Sequence, residues 1–172
     1  MQRTKWVDRR FTFDLPEGWL PDVLERLRGT PARIAEMTSG LSDEKASQKQ
    51  GDAWSIKEHI GHLADLEELH EGRIDDFIAR KETLRAADMS NTKTNEAGHN
   101  RKSVQSLLAS FSDKRHRFIK KLEQLDDETQ KMRALHPRLQ MPMRPIDAAF
   151  FAAEHDDHHL ATMRQILEKY HQ

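Results

Sequence analysis

Two histidines, His155 and His159, stand four residues apart in the segment AEHDDHHLATMRQIL. On a helix both side chains leave one face, with His159 about 40° round from His155. Two more, His59 and His62, lie near the start of an earlier helical pattern, WSIKEHIGHLADLE. Imidazoles projecting from facing helices can hold a divalent transition ion inside a bundle. The pattern points to a metal site more directly than to any one reaction. Three neutral imidazoles would leave the ion its full charge and an open position, where a water or a thiol loses its proton near neutral pH.

The two histidines of the last pattern share their face with Phe151, Ala152, Met163 and Ile166, so they point inward. Ala148 and Ala152 are small enough to leave open space above them for a ligand. On the earlier pattern both His59 and His62 fall on or beside the apolar stripe. His59 has another use, as the residue that packs on Trp54 at the helix start. His62, deeper and beside Leu66 and Leu69, is the favoured third ligand, and His158 is the reserve. His70, His99, His116, His136 and His171 read as surface, loop or ordinary packing residues. Inward histidines are also common as plain core residues. With ten in 172 positions a single pair at this spacing arises readily by chance.

Metal-ligating imidazoles need partners that orient them. Asp65 follows His62 by three residues, and Glu154 and Asp156 flank His155; all three also read as solvated carboxylates. Arg73 projects along the line of His62, three turns on. It could hold a carboxylate of a substrate or thiol cosubstrate, although a salt bridge is its plainer use. No residue is identified as a general base, and no serine triad, glycine-rich phosphate loop or protease-type zinc helix competes for a catalytic role.

These side chains must be positioned by about four long helical patterns and an N-terminal arm. Residues 6–15 alternate around Trp6, Phe11 and Phe13 and read as an arm with a short strand. Apolar spacing from Trp19 to Leu27 gives a first helix, which Gly29 punctuates. Thr30 and Pro31 then restart it as cap and first helical residue. Residues 42–52 read as a loop. Ser55 and Glu58 form a capping box for the second long helix, which runs to about residue 82. The stretch 90–102 has no periodicity and reads as a crossover or loop, and 86–102 is the candidate cover for the site. A third helix follows from Val104 to Leu125. Three prolines between Ala134 and Pro145 end that region, and the last helix spans 146–170.

Composition agrees with a bundle of amphipathic helices: 36% of residues are apolar and 33% charged, with only seven glycines and six prolines for turns. The expected fold is all-α, one four-helix-bundle domain over residues 1–172 with an extended N-terminal arm. The absence of cysteine excludes disulfides, a protein thiolate and thiolate-bound metal. A net charge of −1 and the lack of a basic helix oppose nucleic-acid binding. No apolar run matches a signal peptide or a membrane span, so a soluble cytoplasmic protein is expected.

WSIKEHIGHLADLEELHEGRI and the late HDDHHLATMRQIL together resemble the DinB superfamily, and more closely its YfiT-like branch. RFTFDLPEGW before the first helix and RHRFIKKLEQLDDETQKMRALHP before the last are similar to that branch as well. The resemblance implies a four-helix bundle holding a metal on three histidines, one from the second long helix and two from the last. Carried onto this chain these are His62, His155 and His159. It also implies a metal-dependent hydrolase, or an enzyme that transfers or isomerises substrates with a low-molecular-weight thiol such as bacillithiol or mycothiol, and a homodimer. Imidazole donors suit zinc and nickel best, with iron also accommodated. With no cysteine in the chain, the thiol has to arrive as a cosubstrate beside the small-molecule substrate. The competing reading is a metal-binding or interaction protein of the same fold without catalysis.

Overall fold

The structure is a computed structural model that describes residues 3–170. Its helices are α1 (Leu20–Thr38), α2 (Asp43–Ala46), α3 (Ile56–Ile78), α4 (Thr92–Glu96), α5 (Val104–Glu123), α6 (Asp127–Lys131) and α7 (Pro145–Tyr170). The four long ones, α1, α3, α5 and α7, form the bundle. α1 packs on α5 and α7, and α3 packs on the same two from the other side. The consecutive long helices α1 and α3 are therefore diagonal, and the chain crosses the bundle between them.

Local chemistry sets the helix starts. The Ser55 hydroxyl accepts from the Glu58 N–H at 3.1 Å while the Glu58 carboxylate accepts from the Ser55 N–H at 2.8 Å, the expected capping box. Ser103 caps α5 through the Ser106 N–H. Pro145 opens α7, where a missing N–H costs nothing.

The predicted interruption of the first helix does not occur: α1 runs unbroken through Gly29, Thr30 and Pro31. A proline inside a helix leaves the carbonyl four residues back without its donor, here that of Leu27. Arg115 on α5 supplies one, donating to the Leu27 carbonyl at 3.2 Å. The same guanidinium meets Glu67 of α3 at 2.6 Å and Asp156 of α7 at 2.5 Å, and Asp156 also accepts from the Thr30 hydroxyl at 2.8 Å. Burial disfavours the Arg115 charge, but the Asp156 and Glu67 carboxylates outweigh it and raise its pKa above the usual guanidinium value. One buried charge thus touches all four long helices.

This charged layer divides the core. On one side lie Leu27, Phe77, Phe118, Leu122, Ala149 and Ala153; on the other lie Ile34, Ile60, Leu63, Phe111, Leu160 and Met163. Ala148 and Ala152 are packed into the first cluster, so they do not open the ligand space expected of them.

The connections depart further from expectation. The arm contains a 3₁₀ turn at Trp6–Asp8 and no strand among its described residues. It is held by aromatic packing instead, Trp6 and Phe11 each 5.1 Å from the Phe151 ring, and by Arg144, which donates to the Leu15 carbonyl. The 42–52 loop includes the single turn α2, capped by Ser42. α3 stops at Ile78, short of residue 82. The proline-rich stretch forms a hairpin, β1 (Ala134–His136) antiparallel to β2 (Met141–Met143), with Ala134 opposite Met143. Residues 82–84 run beside β1, the Leu84 N–H donating to the Leu135 carbonyl. Pro142 is tolerated because β2 is an edge strand. No helix among the described residues is long and apolar enough to cross a membrane.

Candidate metal centre

α3 and α7 pack side by side and bring His62, His155 and His159 together. One ring nitrogen from each lies within 4.8 Å of the others. His155 Nε2 and His159 Nε2 face each other at 3.1 Å. Two nitrogens bound to one tetrahedral zinc sit about 3.3 Å apart, so this pair is already spaced for a shared ion. His155 Nδ1 is buried without a partner, and among the described residues His62 Nε2 has none either. The cluster holds more imidazole nitrogens than protein groups to satisfy them. Burial pushes His62 down to about 4, and His155 and His159 well below the usual imidazole range. All three are neutral at neutral pH and present lone pairs. The donor set fits zinc, nickel or another imidazole-preferring ion.

A chain of hydrogen bonds fixes the His62 ring. The Thr94 hydroxyl donates to Asp65 Oδ2 at 3.1 Å and also lies 3.0 Å from His62 Nδ1. A hydroxyl has one proton, so His62 Nδ1–H must be the donor to Thr94. That tautomer leaves Nε2 with the lone pair. Asp65 is held in turn by His99 Nε2 at 2.8 Å. His99 lies flat against Gly61 of α3, where any Cβ would collide with its ring.

The other candidates fall as follows. His59 stands behind the cluster, its Nδ1 2.8 Å from His159 Nδ1 and its ring 5.6 Å from Trp54, so it buttresses His159. His158 faces the arm, with Arg3 3.0 Å from its Nδ1. Glu154 pairs with Arg26, and Asp156 belongs to the Arg115 layer; of the three carboxylates only Asp65 reaches the cluster, through Thr94. Arg73 has no ion pair among the described residues, contrary to the plainer expectation. His116 is exposed and His171 lies outside the described residues. His70, His99 and His136 are buried rather than superficial. The 90–102 stretch gave no periodicity from which Thr94 or His99 could be placed. Gly61, a glycine in the second turn of a well-capped helix between two histidines, was the one available sign of a close approach.

The cluster lines a cavity of about 480 Å³. Trp6 and Val7 of the arm, Trp54, Leu66, Leu69 and Phe151 give it apolar walls, and residues 86–89 and 91 close one side. His70, Arg73, His136 and Arg138 also line it. The Trp6 ring stands edge-on to His155 at 4.9 Å, and Trp54 lies 4.7 Å from His62. The arrangement can take a small molecule and place one of its atoms against three imidazoles, between mostly apolar walls.

No curated protein matches the chain in sequence. Among solved structures it is similar to YfiT from Bacillus subtilis, described as a probable metal-dependent hydrolase with an unusual four-helix bundle topology. The TM-score is 0.79 at 16% identity, over 94% of this chain and 93% of that one. It is also similar to the mycothiol-dependent maleylpyruvate isomerase, with a TM-score of 0.68 at 12% identity, over 88% of this chain and 62% of that one. Both likenesses are of fold. The DinB superfamily profile matches residues 26–163, from within α1 to within α7. The chain belongs to the DinB superfamily.

Proposed function

We propose that this protein is a metal-dependent enzyme acting on a small molecule, with one divalent transition ion held by His62, His155 and His159. The observation that carries the reading is the convergence of three neutral imidazoles from two helices, two of them with an unpartnered nitrogen among the described residues, on the wall of a largely apolar cavity. Zinc or nickel suits the donor set best. When bound, such an ion supplies Lewis-acid activation of a water or a thiol. The chain's own residues then divide the remaining work. His62 is held in one tautomer by Thr94 and Asp65, and His159 is backed by His59. Trp6, Trp54 and Phe151 set apolar surface beside the histidines. Hydrolysis needs only water, whereas transfer to sulfur needs a thiol cosubstrate, because the chain has no cysteine. The likenesses to a described hydrolase and to a thiol-dependent isomerase support both branches at the level of reaction class.

Elemental analysis of the untagged protein beside His59→Ala, His62→Ala and His155→Ala tests the site. About one transition ion per chain is expected in the wild type and in His59→Ala, with loss in the other two. No metal in the wild type after reconstitution with zinc, nickel or iron would remove the basis for the reading.

A further inference from the structure

Arg73 is buried on the cavity wall. It follows His62 on α3 by about 16 Å along the helix, within roughly 20° of the same direction. Its Nε donates to the Arg85 carbonyl at 3.2 Å, and among the described residues its terminal nitrogens find no acceptor. The natural partner at i+3, Asp76, is already saturated. It accepts from Lys81 Nζ at 2.7 Å and from the Arg85 backbone N–H, Nε and terminal nitrogen at 2.8, 3.0 and 2.9 Å. Arg138, delivered by the turn between β1 and β2, lines the same cavity and has no carboxylate partner among the described residues. Its guanidinium lies 5.8 Å from the Phe151 ring centre.

His136 adds a third donor. Its Nδ1 accepts from the Leu139 N–H at 3.3 Å, which leaves the proton on Nε2, and that atom is buried with no partner among the described residues. Burial and the neighbouring Arg138 charge push Arg73 down to about 10. Asp88, the one carboxylate lining the cavity among the described residues, accepts from the Ser90 and Thr92 N–H groups at 2.9 and 2.8 Å. Two cations therefore line a partly open cavity, and among the described residues neither has a carboxylate paired with its guanidinium.

We propose that Arg73 and Arg138 form an anion subsite and that the molecule presented to the histidines is a small organic acid whose carboxylate they bind. The inference rests on the metal-site reading only for where the far end of that molecule points. A guanidinium fork matches a carboxylate with two parallel N–H···O bonds. The apolar walls between the two ends, Leu66, Leu69 and Phe151 among them, favour a single negative charge on an apolar body over a phosphate dianion, whose second charge would have to be desolvated as well.

Calorimetric titration at fixed ionic strength with octanoate, its neutral amide octanamide and inorganic phosphate tests this, in both chelator-treated and zinc-supplemented buffer. Octanoate is expected to bind chelator-treated protein at least tenfold more tightly than octanamide or phosphate. Arg73→Gln and Arg138→Gln should each lose tenfold or more, Arg73→Lys should recover part of that loss, and Arg73→Gln should keep the wild-type metal content. No octanoate binding, equal affinity for the amide or for phosphate, or undiminished binding in both glutamine variants would overturn the proposal. A wild type that retains no metal yet still distinguishes acid from amide would sink the metal-site reading and leave the anion subsite standing.

Discussion

At the scale of single residues, the candidate centre depends on side chains that would never touch a metal. Thr94 is one: its hydroxyl accepts a hydrogen bond from His62 Nδ1–H and donates one to Asp65. Thr94→Val keeps the shape and removes both bonds, leaving a buried N–H unpaired and the imidazole free to turn. Zinc affinity measured by competition with a chromogenic chelator should fall about 10- to 100-fold, with folding stability down by only about 1–3 kcal/mol. Unchanged zinc affinity would remove Thr94 from the centre. The pair on α7 was legible because a four-residue spacing maps directly onto a helix face. The choice of His62 over His59 followed from depth on α3, and the structure sets His62 in the cluster and His59 behind it. Thr94 and His99 were not legible, since a polar stretch without period gives no direction, and only the returning chain shows what it meets.

Among elements, α3 is the one whose sequence is most constrained. It carries the capping box, His62, half of the charged layer at Glu67, the surface for His99 at Gly61, and Arg73. Replacing Gly61 by alanine should raise helix propensity by about 1 kcal/mol, yet the added Cβ has no room beside the His99 ring. The net effect expected is a destabilisation of about 1–3 kcal/mol from overpacking, seen as a lower urea midpoint, together with weaker zinc binding as Asp65 loses its partner. A stabilised Gly61→Ala protein would show that the 3₁₀ turn at His99–Arg101 moves aside freely. The capped starts of α3 and α5 could be read from sequence because each is settled within four residues. The continuity of α1 could not: the donor that repairs the break at Pro31 lies on another helix, at Arg115. The hairpin of β1 and β2 was equally hidden, its strands being three residues each and one of them containing a proline.

For the molecule as a whole, the fold class was readable because four long apolar stripes admit few arrangements, whereas the cavity was not, since its walls come from the arm, three connections and two helices. That cavity and cluster also give the protein a pH signature. Burial is the leading cause that lowers His59, His62, His136 and His158 to about 4, against an ordinary value of 6.5. Between those values the unfolded chain takes up protons that the folded one refuses, so stability is intact above pH 6.5 and drains away as the pH falls toward 4. Thermal unfolding of chelator-treated protein from pH 7.5 to 4 should show a falling midpoint across that window; a flat profile would mean these rings protonate in place. The charged layer has a further meaning. A slip of α3, α5 or α7 by one turn, about 5.4 Å, would pull Glu67, Arg115 or Asp156 out of the charged layer, and it exceeds the 4.8 Å that spans the three imidazole nitrogens. The bundle thus carries its own ruler: buried charges set beside the histidines, Asp156 next to His155 among them, fix the alignment on which any chemistry there depends.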